Sequence, residues 1–99
     1  TSESTSSASE IMVAALQMKN RASVIGSGTC GCVLAIRNRH PLPDGGVLDV
    51  SEFDYRTAAG VRLEGRGIKP DKTITPTRND IYSRRDAALD VARHALNNR

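Results

Sequence analysis

Hydrophobic residues divide the chain into two helical ends and a middle made of short strands. The apolar block at residues 11–16 covers most of the circumference of a helix, which predicts a buried helix over residues 8–19. A terminal helix is predicted over residues 83–97, with Ser83 as N-cap and one apolar stripe. Short apolar or alternating runs predict strands at residues 22–25, 31–39, 47–57 and 61–63. This order of elements indicates an α/β fold.

Turn residues separate the predicted strands. In Leu42-Pro43-Asp44-Gly45-Gly46 the proline fixes φ and the Asp-Gly pair suits a tight reversal. This turn predicts a β-hairpin between the strands on either side. Residues 65–71 contain two glycines and a proline and are therefore predicted to form a loop.

The composition of the chain indicates a small hydrophobic core and argues against nucleic acid as a partner. The chain has 99 residues and only three aromatic side chains, which argues against a self-sufficient small domain. Its net charge is +3, but the basic residues are scattered among eleven acidic ones and lack aromatic platforms. We therefore expect no nucleic-acid binding. Within these 99 residues we expect neither a membrane span, since no apolar run is long enough, nor a signal peptide.

The two cysteines form a Cys30-Gly31-Cys32 triplet. A disulfide across one residue is strained, so we expect two reduced, partly buried thiols. A zinc site would need a further pair of cysteine or histidine ligands, which this triplet lacks. The sequence predicts neither a metal site nor a bound cofactor.

Residues 5–11, T-S-S-A-S-E-I, have two interpretations. In the first, Ser7 is the N-cap of the helix and Glu10, three residues later, completes a capping box. In the second, the Ser7 hydroxyl is a nucleophile. The positive field of the helix N-terminus favours the negative charge that develops in its reaction, and a base is needed to activate the hydroxyl. The local pattern leaves both open.

The ordered set of motifs along the chain resembles the C-terminal processing (tail-specific) serine peptidases. The matching segments span most of residues 4–71, in order and at compatible spacing: S-T-S-S-A-S-E-I-M-V-A-A-L-Q, R-A-S-V-I-G, T-C-G-C-V-L, P-L-P-D-G-G-V-L-D-V and E-G-R-G-I-K-P-D. The helix beginning near Asp86 is also similar to the closing helix of that family.

This resemblance implies a partial ClpP/crotonase-like core, in which residues 1–99 are the C-terminal part of a catalytic domain whose upstream half is absent. The first serine of the family's S-A-S-E motif falls on Ser7, which implies a serine endopeptidase that cleaves polypeptides through an acyl-enzyme. Self-association, pairing with the upstream half, and an extracytoplasmic location are further expectations.

The chain departs from the family where the general base is expected. The base in the best-known branch is a lysine in T-F-G-K-G, and Cys32 occupies that position here. Tricorn-like relatives instead use an upstream histidine and a glutamate that falls on Glu64; the alternative for Glu64 is an exposed loop carboxylate. His40 and His94 do not match the position of that base, and we expect both at the surface. A catalytically dead pseudopeptidase, or a module that binds peptides or apolar ligands, is therefore the alternative function.

Overall fold

The computed structural model describes residues 1–98 and contains helices at both ends with short strands between them. The elements are α1 (Ala8–Met18), β1 (Ile25–Gly26), β2 (Ala35–Pro41), β3 (Val47–Phe53), β4 (Lys72–Thr73), α2 (Arg78–Tyr82) and α3 (Ala87–Asn97). Strands β2 and β3 form an antiparallel hairpin, and β1 pairs in parallel with β4. None of the helices in residues 1–98 has the length and apolar character needed to cross a bilayer.

Helix α1 forms where the apolar block predicts it, but its burial is only partial. Ala14 packs in the core, whereas Met12 is 61% and Met18 46% exposed. The prediction of a buried helix assumed that other elements cover all sides of α1. In this chain only one side of the helix meets the core, so the opposite apolar side faces outward.

The β-hairpin is confirmed, although its strands are shorter than predicted. Its turn is closed by hydrogen bonds from Leu42 N–H to the Gly46 carbonyl (2.8 Å) and from Gly46 N–H to the Asp44 carboxylate (2.9 Å). The register pairs Pro41 with Val47 at the turn and shifts farther along β2. The predicted strand at residues 61–63 contributes only one isolated bridge to the chain before it.

Residues 31–34 were predicted to begin the strand that becomes β2, and this prediction is wrong. The backbone N–H groups of all four residues donate to side-chain carboxylates instead of a neighbouring strand. Donors that are already bonded in this way cannot take part in a β-ladder. The pairing therefore starts only at Ala35.

The terminal helix α3 begins at Ala87 and not after Ser83, and a short helix that the sequence did not predict, α2, precedes it. Thr77 caps α2 by accepting from Asp80 N–H, and Ser83 ends that helix. Arg84 then takes a left-handed φ of 53°, which interrupts the helical path. Asp86 caps α3 by accepting the Leu89 N–H at 2.9 Å.

The core is small and lies between α1, the residues before β2 and the loop before β4. It consists of Ala14, Val33, Leu63 and Ile68. The radius of gyration is 17.3 Å, whereas a compact chain of this length measures about 13 Å. Much apolar surface is consequently uncovered, and all four apolar residues of β3 are exposed: Val47, Leu48, Val50 and Phe53.

Candidate active site

Ser7 occupies a strained backbone position immediately before α1. Its φ of 55° and ψ of −130° lie outside the regions that side-chain-bearing residues normally adopt. The Ser7 N–H donates to the Cys32 carbonyl at 2.9 Å and to the Glu10 carboxylate at 3.2 Å. A serine held in a sharp turn at the start of a helix is a recurring way to expose a nucleophilic hydroxyl.

The cap of α1 leaves the Ser7 hydroxyl available. The Glu10 N–H donates to the Ser7 backbone carbonyl at 2.9 Å. The Ser7 side chain takes the capping-box position near this N–H but makes no capping hydrogen bond with it. Ser7 is also solvent-exposed. The two interpretations of the sequence are therefore compatible, because Glu10 completes its half of the capping box without engaging the hydroxyl.

Glu10 is fully buried and joins α1 to the segment at residues 29–32, which we call the cysteine turn. One carboxylate oxygen accepts from the Thr29 hydroxyl and from Gly31 N–H (2.7 Å), and the other accepts from Cys32 N–H (2.9 Å) and Ser7 N–H. Burial opposes ionisation of Glu10, but hydrogen bonds from Thr29, Cys32, Gly31 and Ser7 outweigh it and lower the pKa of the carboxyl. The sequence indicated only the capping role of Glu10.

Thr29 extends this network to the loop before β4. Its hydroxyl donates to Glu10 and accepts from Ile68 N–H at 2.8 Å, and its own N–H donates to the Ile68 carbonyl at 3.2 Å. Gly67 lies against this contact with a φ of 63°, and a Cβ at that position would collide with the Thr29 carbonyl oxygen. The glycine is thus required by both its φ and the lack of space.

Glu64 holds the other end of the same backbone segment. Its carboxylate accepts from Val33 N–H at 2.8 Å and from Leu34 N–H at 3.1 Å, and the residue is half-buried. Glu10 and Glu64 together bind the amides of residues 31–34. Glu64 thus lies in a turn, half-buried, with its carboxylate hydrogen-bonded to the segment that follows Cys32, and no hydrogen bond joins it to Ser7 within residues 1–98.

The cysteines are paired, which corrects the prediction of reduced, partly buried thiols. Cys30 and Cys32 form a disulfide with their Cα atoms 5.2 Å apart, and both residues are exposed. Gly31 between them has a φ of 72°, a left-handed conformation that reverses the chain and brings the two side chains together. The Cys32 carbonyl accepts the Ser7 N–H, so the backbone of Cys32 lies beside Ser7.

Both histidines lie away from Ser7. The His40 ring on β2 lies 3.4 Å from the Glu52 carboxylate on β3, and the His94 ring lies 2.8 Å from the side chain of Asn98, the C-cap of α3. Neither ring bonds to Ser7. In the described part of the chain, Ser7 has no base in hydrogen-bond contact.

Comparison with known proteins places these features in a family. The model of peptidase family S41 matches residues 1–74. The chain is 39% identical over 72 residues to a "Probable CtpA-like serine protease" of Staphylococcus aureus, which covers 73% of this chain and 14% of the relative. It is 34% identical over 83 residues to a carboxy-terminal-processing protease of Bartonella bacilliformis, covering 84% of this chain and 19% of the relative. The chain thus spans less than a fifth of the length of these curated relatives.

Two solved structures share the fold. The tricorn protease superposes with a TM-score of 0.86 at 32% identity, covering 95% of this chain and 9% of that one. The photosystem II D1 C-terminal processing protease superposes with a TM-score of 0.66 at 33% identity, covering 76% and 19% respectively. These similarities confirm the α/β peptidase fold expected from the sequence. The chain belongs to peptidase family S41, in which it resembles C-terminal processing serine proteases.

Proposed function

We propose that this chain carries the nucleophile of a serine endopeptidase and that Ser7 attacks the carbonyl of a polypeptide substrate. The observation that carries the proposal is the exposed Ser7, held at φ 55° before α1 with its hydroxyl unused by the helix cap. Backbone strain of this kind persists only where the surroundings enforce it, and it is concentrated at functional sites.

The start of α1 suits the chemistry of acyl transfer. The first backbone N–H groups of a helix have no partner within the helix, and the macrodipole makes this end positive. Negative charge that develops on a carbonyl oxygen next to Ser7 would be stabilised there. The Ser7 oxygen attacks the carbonyl carbon while its proton passes to the base, which protonates the departing amine as the peptide bond breaks, and an ester remains on Ser7. Water then hydrolyses the ester, which releases the carboxylic acid product and restores the hydroxyl.

Glu10 and Glu64 have different roles in this proposal. Glu10 positions Ser7 by accepting its N–H and by holding the cysteine turn against it. We assign Glu64 to the glutamate that, by resemblance to tricorn-like peptidases, precedes the G-x-x-P-D segment; its hydrogen bonds from Val33 and Leu34 N–H hold it against the backbone that follows Cys32. The base itself would come from other parts of a peptidase as long as the relatives. We therefore expect the isolated 99-residue chain to hydrolyse little or no peptide.

A serine-directed fluorophosphonate tests the assignment of Ser7. The probe is applied to the longer peptidase that contains this segment, and the labelled peptide is located by mass spectrometry. We expect labelling in the wild type and none in Ser7→Ala. The matched control is Ser9→Ala, a serine in the first turn of α1, and it should be labelled like the wild type. Undiminished labelling of Ser7→Ala would show that another residue is the nucleophile.

We further propose that the substrates are polypeptides and that the protein works outside the cytoplasm. One relative is named a serine protease and another a carboxy-terminal-processing protease, which supports the substrate class. The Cys30–Cys32 pair supports an oxidising compartment, because disulfides are rare in reducing cytosol. Cell fractionation followed by immunoblotting tests the location.

An apolar cavity favours ligand binding as a second candidate function. An open cavity of about 670 Å³ lies between α3 and the chain around β1. Its apolar lining includes Ile25, Ile74, Leu89 and Ala92. A cavity of this size and character can hold a small apolar molecule. Native mass spectrometry would reveal a co-purifying apolar ligand; finding one while Ser7 stays unlabelled would favour a pseudopeptidase.

A further inference from the structure

The cysteine turn contacts the chain on both sides of Ser7. The Cys30 N–H donates to the Thr5 carbonyl at 2.9 Å, and the Cys32 carbonyl accepts the Ser7 N–H at 2.9 Å. Between these contacts, the amides of Gly31 and Cys32 bind the Glu10 carboxylate. The position of Ser7 therefore depends on the conformation of this short turn.

The disulfide closes the same turn and is accessible to solvent. It spans a single residue, Gly31, and both cysteines are exposed. Access to the sulfur atoms is one requirement for thiol–disulfide exchange. Once the bond is opened, Gly31 keeps its hydrogen bonds with Glu10 and Gly65 but loses the covalent closure across it, and a glycine populates both signs of φ with little steric cost.

We infer that the Cys30–Cys32 disulfide is a thiol-exchangeable restraint that holds the cysteine turn in the conformation that aligns Ser7. The consequence for Ser7 rests on the proposed peptidase function. The restraint on the turn does not depend on that function. Oxidised, the pair keeps the Gly31 and Cys32 amides directed at Glu10. Reduced, it lets the turn move and the alignment of Ser7 loosen.

The exchange reaction involves a dithiol reductant. A thiolate of the reductant attacks one cysteine sulfur, which forms a mixed disulfide and releases the other cysteine as a thiolate that takes a proton from water. The second thiol of the reductant then displaces the remaining cysteine sulfur and leaves as part of a reductant disulfide. The protein gains two electrons and two protons, and the dithiol loses them.

The size of the effect follows from the length of the closed loop. The chain-entropy relation for a loop this short gives a change of about tenfold in the equilibrium for opening the turn. Because amide exchange requires opening, hydrogen exchange at Gly31, Cys32 and Ser7 should accelerate by about tenfold on reduction. Amides of the hairpin turn, such as Gly46, lie elsewhere in the fold and serve as internal references.

The experiment combines thiol counting with hydrogen exchange on the full 99-residue chain. Iodoacetamide and mass spectrometry count free thiols in air-exposed protein before and after dithiothreitol, with none expected before and two after. Exchange is followed by NMR in both states, and the Cys30→Ser/Cys32→Ser double variant is the control. The variant should exchange like the reduced wild type and should not respond to dithiothreitol.

Two results would overturn the inference: two alkylated thiols in air-exposed protein, or exchange at Gly31 and Cys32 that is the same in both redox states. Fluorophosphonate labelling of the longer peptidase separates this inference from the proposed function. Faster labelling in the oxidised state supports both. A response of the exchange rates with no labelling of Ser7 in either state supports the restraint and refutes the peptidase assignment.

Discussion

Replacing Glu10 by glutamine tests the buried network at the start of α1. The carboxylate accepts from Ser7, Thr29, Gly31 and Cys32, and the residue has no exposed surface. Glutamine keeps the size and shape of the side chain but replaces one acceptor oxygen by an NH₂ donor. The substitution therefore changes hydrogen bonding and charge with almost no change in packing.

The loss in free energy of unfolding depends on which N–H donors lose their acceptor oxygen in Glu10→Gln. If the NH₂ group replaces the first oxygen, it faces Gly31 N–H; if it replaces the second, it faces Cys32 N–H and Ser7 N–H. At least one buried N–H thus meets another donor, which costs about 1–3 kcal/mol, and the remaining bonds lose the assistance of the charge. We expect Glu10→Gln to lower the free energy of unfolding by about 2–4 kcal/mol.

Urea denaturation followed by circular dichroism at neutral pH and fixed protein concentration measures this loss. Glu3→Gln is the matched control, because Glu3 is exposed and should change stability by less than about 0.5 kcal/mol. A Glu10→Gln effect as small as that of the control would refute the conclusion that the carboxylate holds the cysteine turn.

Acidification should reproduce the effect in the wild type. The pKa of Glu10 is lower in the folded chain than in the unfolded one, because its hydrogen bonds outweigh the cost of burial. The stabilisation is therefore fully present above the ordinary glutamate pKa and is lost as pH falls toward the folded value. The stability difference between wild type and Glu10→Gln should shrink over that range, and a constant difference would contradict this assignment.

Three further predictions concern the rest of the chain. Gly67→Ala should lower the melting temperature more than Gly65→Ala, since both have a positive φ but only Gly67 lies against the Thr29 carbonyl; equal shifts would contradict this. Asp71→Asn should lower the melting temperature at neutral pH and have little effect in acid, because hydrogen bonds from Val24 N–H and the Gln17 side chain lower the pKa of Asp71; an effect independent of pH would contradict this. The isolated chain should self-associate through its uncovered apolar surfaces, and a single compact 10.6 kDa species in sedimentation at micromolar concentration would refute that.

Features that depend on neighbouring residues could be predicted from the sequence. The apolar block of α1, the Asp-Gly reversal of the hairpin and the loop before β4 all form where the pattern indicates. Their causes, which are side-chain periodicity and the allowed φ values of proline and glycine, act over a few residues. The order of the motifs also identified the peptidase family and Ser7 as the candidate nucleophile.

The partners of the carboxylates and cysteines were decided by the tertiary structure. Glu10 meets the cysteine turn across 19–22 residues, and Glu64 meets Val33 and Leu34 across 30–31 residues. These contacts prevented the predicted strand at residues 31–34, and the left-handed Gly31 paired two cysteines expected to be reduced. Spacing along the chain does not report such contacts, because a buried carboxylate binds whichever N–H groups the fold brings within about 3 Å of it.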